Sequence, residues 1–468
     1  MKIAILGAGQ VGTSMAEILS DDNDVTLVDL DPGALAGLQD RLDIRTVQGS
    51  ASHPEVLEQA GIQDTDLLLA VTDRDEVNMV ACQIAHILYS TPKKIARVRA
   101  PGYLAHAEKI FLREKNENEE ENSKLIPINV IISPEQIITR QIQRLIEYPG
   151  ALQVIDFADG RIRLVGLRAY HGGALVGREL RELRDHLPSV KTRVAALYRQ
   201  DRPIIPTGKT VIESDDEIFF IAPREEIRKM ISELRSIEKA GRSIILAGAG
   251  NVGFQLAQTL EKSGYRVKLI ERNAERARFV SEQLEETFVL HGDAADEELL
   301  LQENIENVEV FCALTNEDAA NIISAVLAKR LGARRVMAIV NRAAYVDLIE
   351  SDVLDIAISP RIATVGTLLA HMRRGDVVAA HSLRRGAAEV IEAVAHGDAG
   401  TSKVVGKTPG KLKLPHGTTI GTILRGDEVL TLEEETIIED GDHVILFMID
   451  KKRIPEVEKL FQVAATFF

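Results

Sequence analysis

Cysteine is nearly absent from this chain. Cys82 and Cys312 are the two thiols in 468 residues, and they occupy non-equivalent positions. Two thiols cannot build a disulfide framework, so a reducing compartment is expected, with both side chains acting as small buried hydrophobes. Basic charge is also short: 56 Lys and Arg stand against 71 Asp and Glu, a net of −15. An acidic surface argues against a nucleic-acid partner, which needs a basic face to displace phosphate counterions. No stretch approaches the roughly 18–20 consecutive apolar residues of a membrane helix. The opening segment MKIAILGAG reads as a strand, without the apolar region and cleavage site of a signal peptide, which again implies the cytoplasm. The 11 histidines are scattered. None has metal-ligand spacing, HExxH is missing, and no acid–base pair stands out. His53 and His291 fall near predicted third-strand loops and read as solvated histidines.

What the sequence does contain is a repeat. IAILGAGQVGTSMAEIL at 3–19 aligns with IILAGAGNVGFQLAQTL at 244–260, identical at eight of 17 positions. The register continues through Gln48-Gly49-Ser50-Ala51 against His291-Gly292-Asp293-Ala294, and through Thr72 and Asn78 against Thr315 and Asn321. Ser133-Pro134 then aligns with Ser359-Pro360, and TVIESDDEIFF at 210–220 with TIIEDGDHVIL at 436–446. The first copy carries 16 extra residues, which include a polar, largely acidic run near 113–124 expected to form a solvated loop. Four modules follow, in the order large–small–large–small: residues 1–134, 150–236, 241–358 and 376–462.

In the large module the runs 3–6, 25–28, 66–71 and 95–98 are apolar nearly throughout, as buried parallel strands are. Helix-spaced patterns at 15–19 and 78–88 lie between them, so the expectation is an α/β, Rossmann-type doubly wound parallel sheet with right-handed crossovers. Ser133-Pro134 and Ser359-Pro360 suit helix starts, and the amphipathic segments 137–145 and 362–372 are expected to lead from large module to small. The small modules hold short β-like runs (152–155, 193–197, 218–221) and end in helical tails at 225–234 and 454–460, a small α+β pattern.

Gly7-x-Gly9-x-x-Gly12, with Ala8, Gln10 and Val11 between, follows a predicted strand and opens a predicted helix. The first glycine permits the tight turn, the second lets backbone approach a pyrophosphate, and the third lets helix and strand pack closely. Asp29, 22 residues beyond Gly7, is placed to accept from ribose hydroxyls. Gly248, Gly250 and Gly253, with Ala249, Asn251 and Val252 between and Glu271 beyond, repeat the arrangement. The glycines could also serve only turn and packing. An acid at this position disfavours a 2′-phosphate and so favours NAD(H) over NADP(H), less firmly where Arg272 adjoins Glu271. The same loop and acid suit ATP or ADP equally well. Other candidates fall at predicted strand ends: Thr72 and Asp73 with Thr315 and Asn316, Arg99 with Asn341, and Ser50 with Asp293. Arg99 reads as a phosphate partner or a surface ion pair, and Ser50 and Asp293 as purine neighbours or plain turn residues.

The segments MKIAILGAGQVG, ASHPEVL (51–57), RLIEYPGALQV (144–154), LIERN (269–273), ALTNEDAANI (313–322) and SLRRGAAEVIEAVAHGD (382–398), set in this duplicated architecture, resemble the RCK (KTN) regulators of potassium transport over essentially the whole chain. The resemblance implies RCK-N and RCK-C modules in tandem and a role that is not enzymatic. It implies a homo-oligomeric ring, dimer or tetramer, peripheral at the inner face of the membrane beneath a potassium-translocating subunit of the TrkH/TrkG type. It also implies that NAD(H) and ATP or ADP control ion flux. Its ligand residues would be Gly7 to Gly12 with Asp29, Thr72, Asp73 and Arg99, and Gly248 to Gly253 with Glu271, Asp293, Thr315 and Asn316. An NAD-dependent oxidoreductase is the alternative, since the same glycine loops serve it.

Overall fold

The computed structural model describes every residue except 112–124, 174, 184–191, 201, 235–241, 343, 346–352, 373–376, 384–387, 431, 433–434 and 463–468. The acidic insertion expected as a loop therefore lies outside the described residues.

The first large module is a six-stranded sheet of β1 (Lys2–Leu6), β2 (Asp24–Asp29), β3 (Arg45–Gln48), β4 (Leu67–Ala70), β5 (Lys93–Arg97) and β6 (Val130–Ile132). Its spatial order is β3-β2-β1-β4-β5-β6, and all its pairings are parallel. The order reverses between β1 and β4, which opens a crevice beyond the C-terminal strand ends, where sheets of this kind take ligands. β4 is buried at all four residues, because helices cover both faces of a parallel sheet. The sixth strand was not anticipated from sequence: three residues are too few to show a period. The fifth runs over Lys93–Arg97 rather than 95–98, so Arg99 lies two residues past its end.

The first small module is an antiparallel sheet of β7 (Ala151–Phe157), β8 (Ile162–Arg168), β9 (Arg193–Arg199), β10 (Arg202–Ile204) and β11 (Glu217–Pro223), ordered β10-β9-β11-β8-β7 and followed by the helix Ile227–Leu234. The second large sheet repeats the first as β12 (Ser243–Ala247), β13 (Arg266–Glu271), β14 (Phe288–His291), β15 (Val310–Ala313), β16 (Val336–Ile339) and β17 (Ile356–Ile358), ordered β14-β13-β12-β15-β16-β17. The second small sheet, β18 (Val377–Leu383), β19 (Ala388–Val394), β20 (Thr418–Arg425), β21 (Glu428–Leu430) and β22 (His443–Met448), has the order β18-β19-β22-β20-β21 and ends in the helix Ile454–Phe461.

The chain divides into two compact units: Met1–Ile138 with Pro360–Leu368, and Thr139–Ser359 with Leu369–Phe468. The helix Pro360–Met372 belongs by repeat to the second copy, yet its first residues are built into the first unit. There the Arg361 guanidinium lies 3.6 Å from a Glu17 carboxylate oxygen on the helix Gln10–Leu19. The expected local connector is thus an exchanged element, because an amphipathic stripe does not say which module it covers.

Within the second unit the two small sheets share one apolar core, in which Phe157, Leu164 and Phe219 meet Leu383, Val390 and Phe447. Buried Glu392 accepts from the Ala158 amide at 2.9 Å across this contact, and within its own sheet it pairs with His443 Nδ1 at 2.6 Å. Each small sheet also carries one buried clasp. Fully buried Asp216 takes Arg199 bidentately at 2.9 and 2.8 Å and accepts the Glu213 amide at 2.8 Å. Asp442 does the same with Arg425, at 2.9 and 2.8 Å, and with the Glu439 amide at 2.8 Å. The aligned TVIESDDEIFF and TIIEDGDHVIL segments are these two clasps. Among the described residues, no helix is long and apolar enough to cross a membrane.

Candidate functional site

Each large sheet ends its first strand in a glycine loop. Gly7 and Gly248 sit at φ +109° and +103°, in the left-handed region that favours glycine, and their amides donate to Val28 and Ile270 carbonyls, both at 2.8 Å. A Cβ on Gly12 would stand 1.8 Å from the Gly7 carbonyl oxygen, and one on Gly253 would stand 1.9 Å from that of Gly248. These four glycines are therefore required by the loop itself. Gly9 and Gly250 are not. Both have extended backbone (φ −69° and −65°) open to any residue, and a Cβ on either would meet nothing within 4 Å. The fold leaves the space above the second glycine of each loop empty.

The helices that follow, Gln10–Leu19 and Asn251–Lys262, have no side-chain cap and no acid in the first turn. Their neighbours have one or the other: Asp31, Asn273 and Asp296 accept backbone amides at the helix they precede, and the uncapped helices Pro54–Gln59, Asp75–Tyr89 and Asp318–Arg330 each carry an acid in the first turn. An uncapped helix start leaves free N–H groups and the positive end of the dipole, an arrangement that favours an anion.

Asp29 and Glu271 end β2 and β13 and face the loops. Asp29 accepts the Ala8 amide at 2.5 Å and the Asp31 amide at 2.8 Å, and Glu271 accepts the Ala249 and Asn273 amides, both at 2.8 Å. Thr72 and Thr315 abut the loops from the other side, with Thr72 Cα 3.0 Å from a Cβ built on Gly7. Ser50 and Asp293 follow glycines whose amides bond the Asp29 and Glu271 carbonyls at 2.9 and 3.0 Å. Their own side chains do turn work, Ser50 with Ser52 at 2.9 Å and Asp293 with the Ala295 amide at 2.9 Å. Asp73 and Asn316 are exposed beside the threonines. Arg99 is drawn aside: its guanidinium donates to the Asp73 carbonyl and lies 3.8 Å from Asp75. Burial, then the nearby Arg99 charge, pushes Arg97 below its ordinary value, so two cations share the end of β5 where the second copy has Ile339 and Asn341.

Sequence reasoning missed the residues that hold this crevice in shape. Asn78, fully buried, accepts the Thr72 amide at 3.0 Å and hydroxyl at 2.7 Å and donates to the Arg97 carbonyl at 2.9 Å, tying the ends of β4 and β5. Asn321 ties β15 to β16 in the same way, through Thr315 (2.9 and 2.6 Å) and the Ile339 carbonyl (3.0 Å). Asp75 accepts the amides of Arg99 and Ala100 at 2.8 and 2.7 Å, and Asp318 those of Asn341 and Arg342, both at 2.9 Å. The signal was available as a Thr-x-x-Asp-x-x-Asn spacing present once in each copy. The two cradles also differ at one carbonyl. Thr13 donates to the Ala8 oxygen at 3.0 Å, whereas in the second copy Phe254 replaces the threonine and Arg276 Nε donates to the Ala249 oxygen at 2.8 Å.

Cys82 and Cys312 are buried in the two cores, and burial pushes both thiols up to about 12. Since the nucleophile is the thiolate, both are expected to resist iodoacetamide at pH 8 in the folded chain and to react only after denaturation. Mass-spectrometric counting of adducts checks this, and labelling without denaturant would contradict the burial.

The family model of the TrkA-N domain matches residues 3–134 and 244–360, and that of the TrkA-C domain matches 164–235. The chain is 57% identical over 469 residues to the Trk system potassium uptake protein TrkA of Halomonas elongata, spanning the whole of both chains. It is 54% identical over 468 residues, again the whole of both, to the protein of that name from Vibrio alginolyticus. Among solved structures it is similar to the GsuK RCK domain, with TM-score 0.61 at 19% identity, covering 98% of this chain and 95% of that one. It is also similar to the GsuK channel bound to NAD, with TM-score 0.61 at 17% identity, covering 98% and 78%. At these identities the two structures establish a shared fold.

Proposed function

We propose, from the fact that this chain belongs to the TrkA family of Trk-system potassium uptake proteins, that it is the nucleotide-sensing regulatory subunit of a potassium-uptake system. In this reading each large module takes NAD(H), ATP or ADP on its glycine loop. The chain assembles as a ring, dimer or tetramer, at the inner face of the membrane and controls flux through a separate potassium-translocating subunit of the TrkH/TrkG type. The observation that carries the binding half is the pair of second glycines. Neither backbone angle nor packing requires a glycine at Gly9 or Gly250, and each lies at an uncapped helix start. A ligand that needs close backbone approach accounts for both, and one protein of shared fold, the GsuK channel, has been solved bound to NAD. Asp29 and Glu271 would exchange their loop amides for ribose hydroxyls, while the phosphates meet the first-turn N–H groups. Exchange of one nucleotide for another can shift module arrangement only by its differential affinity for the two arrangements.

The test is a calorimetric titration of the purified chain with NADH, NAD, ATP and ADP while NADH absorbance is followed. Saturable binding without loss of absorbance is the expected result. Gly9→Ala is expected to leave the melting temperature unchanged and to weaken the first site by about tenfold or more. Unchanged affinity in that folded variant would remove the second glycine from the binding site. Steady NADH consumption with a small-molecule substrate would make the chain an oxidoreductase instead. Control of flux is tested separately, by potassium uptake in vesicles holding the membrane subunit with and without this chain.

A further inference from the structure

The two glycine loops hold the same carbonyl by different means, and the difference leaves a cation at only one of them. In the first copy a threonine hydroxyl, Thr13, satisfies the Ala8 oxygen at 3.0 Å. In the second the Arg276 guanidinium satisfies the Ala249 oxygen at 2.8 Å and lies 5.7 Å from the Phe254 ring and 5.1 Å from the Phe279 ring. Its backbone is fixed as well, because the Arg276 amide donates to the capping Asn273 side chain at 2.8 Å. Its two terminal amino groups make no hydrogen bond among the described residues. The equivalent first-copy residue is Ala34, which has neither a charge nor a flat face. A hydroxyl would have been enough to satisfy the carbonyl. The second copy has instead a planar, permanently charged group, pre-oriented by two rings.

Its place indicates what that group meets. Arg276 lies five residues beyond Glu271, on the helix Ala274–Ser281 that starts just after the acid. An acid at that strand end faces the adenosine ribose, so the helix start flanks the adenosine half of a bound nucleotide rather than its distal half. A guanidinium is the side chain best suited to stack on a purine while staying near phosphate. The geometry points to Arg276 as a specificity-determining residue that packs on the adenine ring, so that the second site holds the adenosine half of its nucleotide more tightly than the first. This rests on the nucleotide-binding reading of the glycine loops.

AMP, which carries adenosine and a single phosphate, isolates that half. Photolabelling of the full chain with 8-azido-AMP, followed by peptide mapping, assigns the label to one loop, and calorimetry gives the affinity. Label concentrated on the second loop is expected, with Arg276→Ala weakening AMP there by about five- to tenfold. Ala34→Arg is expected to tighten AMP at the first loop by a similar factor. The deciding variant is Phe254→Thr with Arg276→Ala, which rebuilds the first copy's hydroxyl tie to the loop carbonyl. AMP binding that stays weak in this double variant supports a direct contact. Recovery to the parent affinity would mean that Arg276 only braces the loop, and the proposal would be overturned. AMP affinity indifferent to Arg276→Ala overturns it too. Melting without nucleotide confirms that each variant is folded. Parallel titrations with NADH and ATP separate the two readings: no saturable binding of either at either loop defeats nucleotide binding itself, whereas binding of one of them with AMP indifferent to Arg276 defeats only the adenine contact.

Discussion

Gly12→Ala is expected to disrupt the first glycine loop, lowering stability by about 3 kcal/mol or more and removing nucleotide binding at that site. The cause is geometric. The added methyl would lie 1.8 Å from the Gly7 carbonyl oxygen, a backbone atom that cannot rotate away. Either the helix Gln10–Leu19 lifts from β1 or the turn at Gly7 opens, and both moves break the positions of the first-turn amides. Gly253→Ala should behave alike at the second site, where the distance to the Gly248 oxygen is 1.9 Å. The measurement is urea unfolding together with a nucleotide titration. The informative comparison is with Gly9→Ala, three residues earlier, which should lose affinity while keeping stability. A Gly12→Ala chain that unfolds and binds like the parent would contradict the loop geometry.

Asp216→Ala should destabilise the first small module by about 3–5 kcal/mol, because it leaves the Arg199 guanidinium beside a buried void and orphans the Glu213 amide. Asp442→Ala is expected to act likewise through Arg425 and the Glu439 amide. The outer carboxylates should matter far less. Glu213 is about three-fifths exposed, and an ion pair so open to water contributes about 1 kcal/mol at most. Replacing both partners at once, Arg199→Met with Asp216→Leu, should recover much of the loss, since the cost lies in stranding one charge rather than in lacking the pair. Chemical unfolding followed by circular dichroism reads all of these variants. Equal loss in the single and double variants would show that shape, not charge pairing, governs the site.

The parts of this molecule that were legible in the sequence are those with a short period or a fixed spacing. The parallel strands showed as apolar runs, the loops as Gly7-x-Gly9-x-x-Gly12 and its copy, and the acids by their distance from the first glycine. Duplication made each of these visible twice. Val130–Ile132 and Ile356–Ile358 were missed because three residues carry no period, although each completes a sheet. Asn78 was visible as a repeated position and Asp75 within the same spacing, but their work was not, because part of it is done on backbone 19 to 25 residues away, at the Arg97 carbonyl and the Arg99 and Ala100 amides. The exchange of Thr13 for Arg276 was hidden for the same reason: a carbonyl's partner can come from five residues or 27 residues along the chain with equal ease. Arg99 was read as a phosphate partner or an ion pair, and only the neighbouring Asp75 and the Asp73 carbonyl reveal how its guanidinium is engaged.

The helix segment Pro360–Leu368 gives the first unit a late component. A ribosome adding about 5–20 residues per second needs roughly 11–44 seconds to travel from Ile138 to Pro360. Throughout that interval the nascent first unit waits without the piece that brings Arg361 to Glu17. The surface which that piece will cover must stay unfilled while the whole of the next large module and a small one are being made. A gene cut between the two repeats would consequently encode two products that are each short of a part, even though the sequence reads as two complete copies.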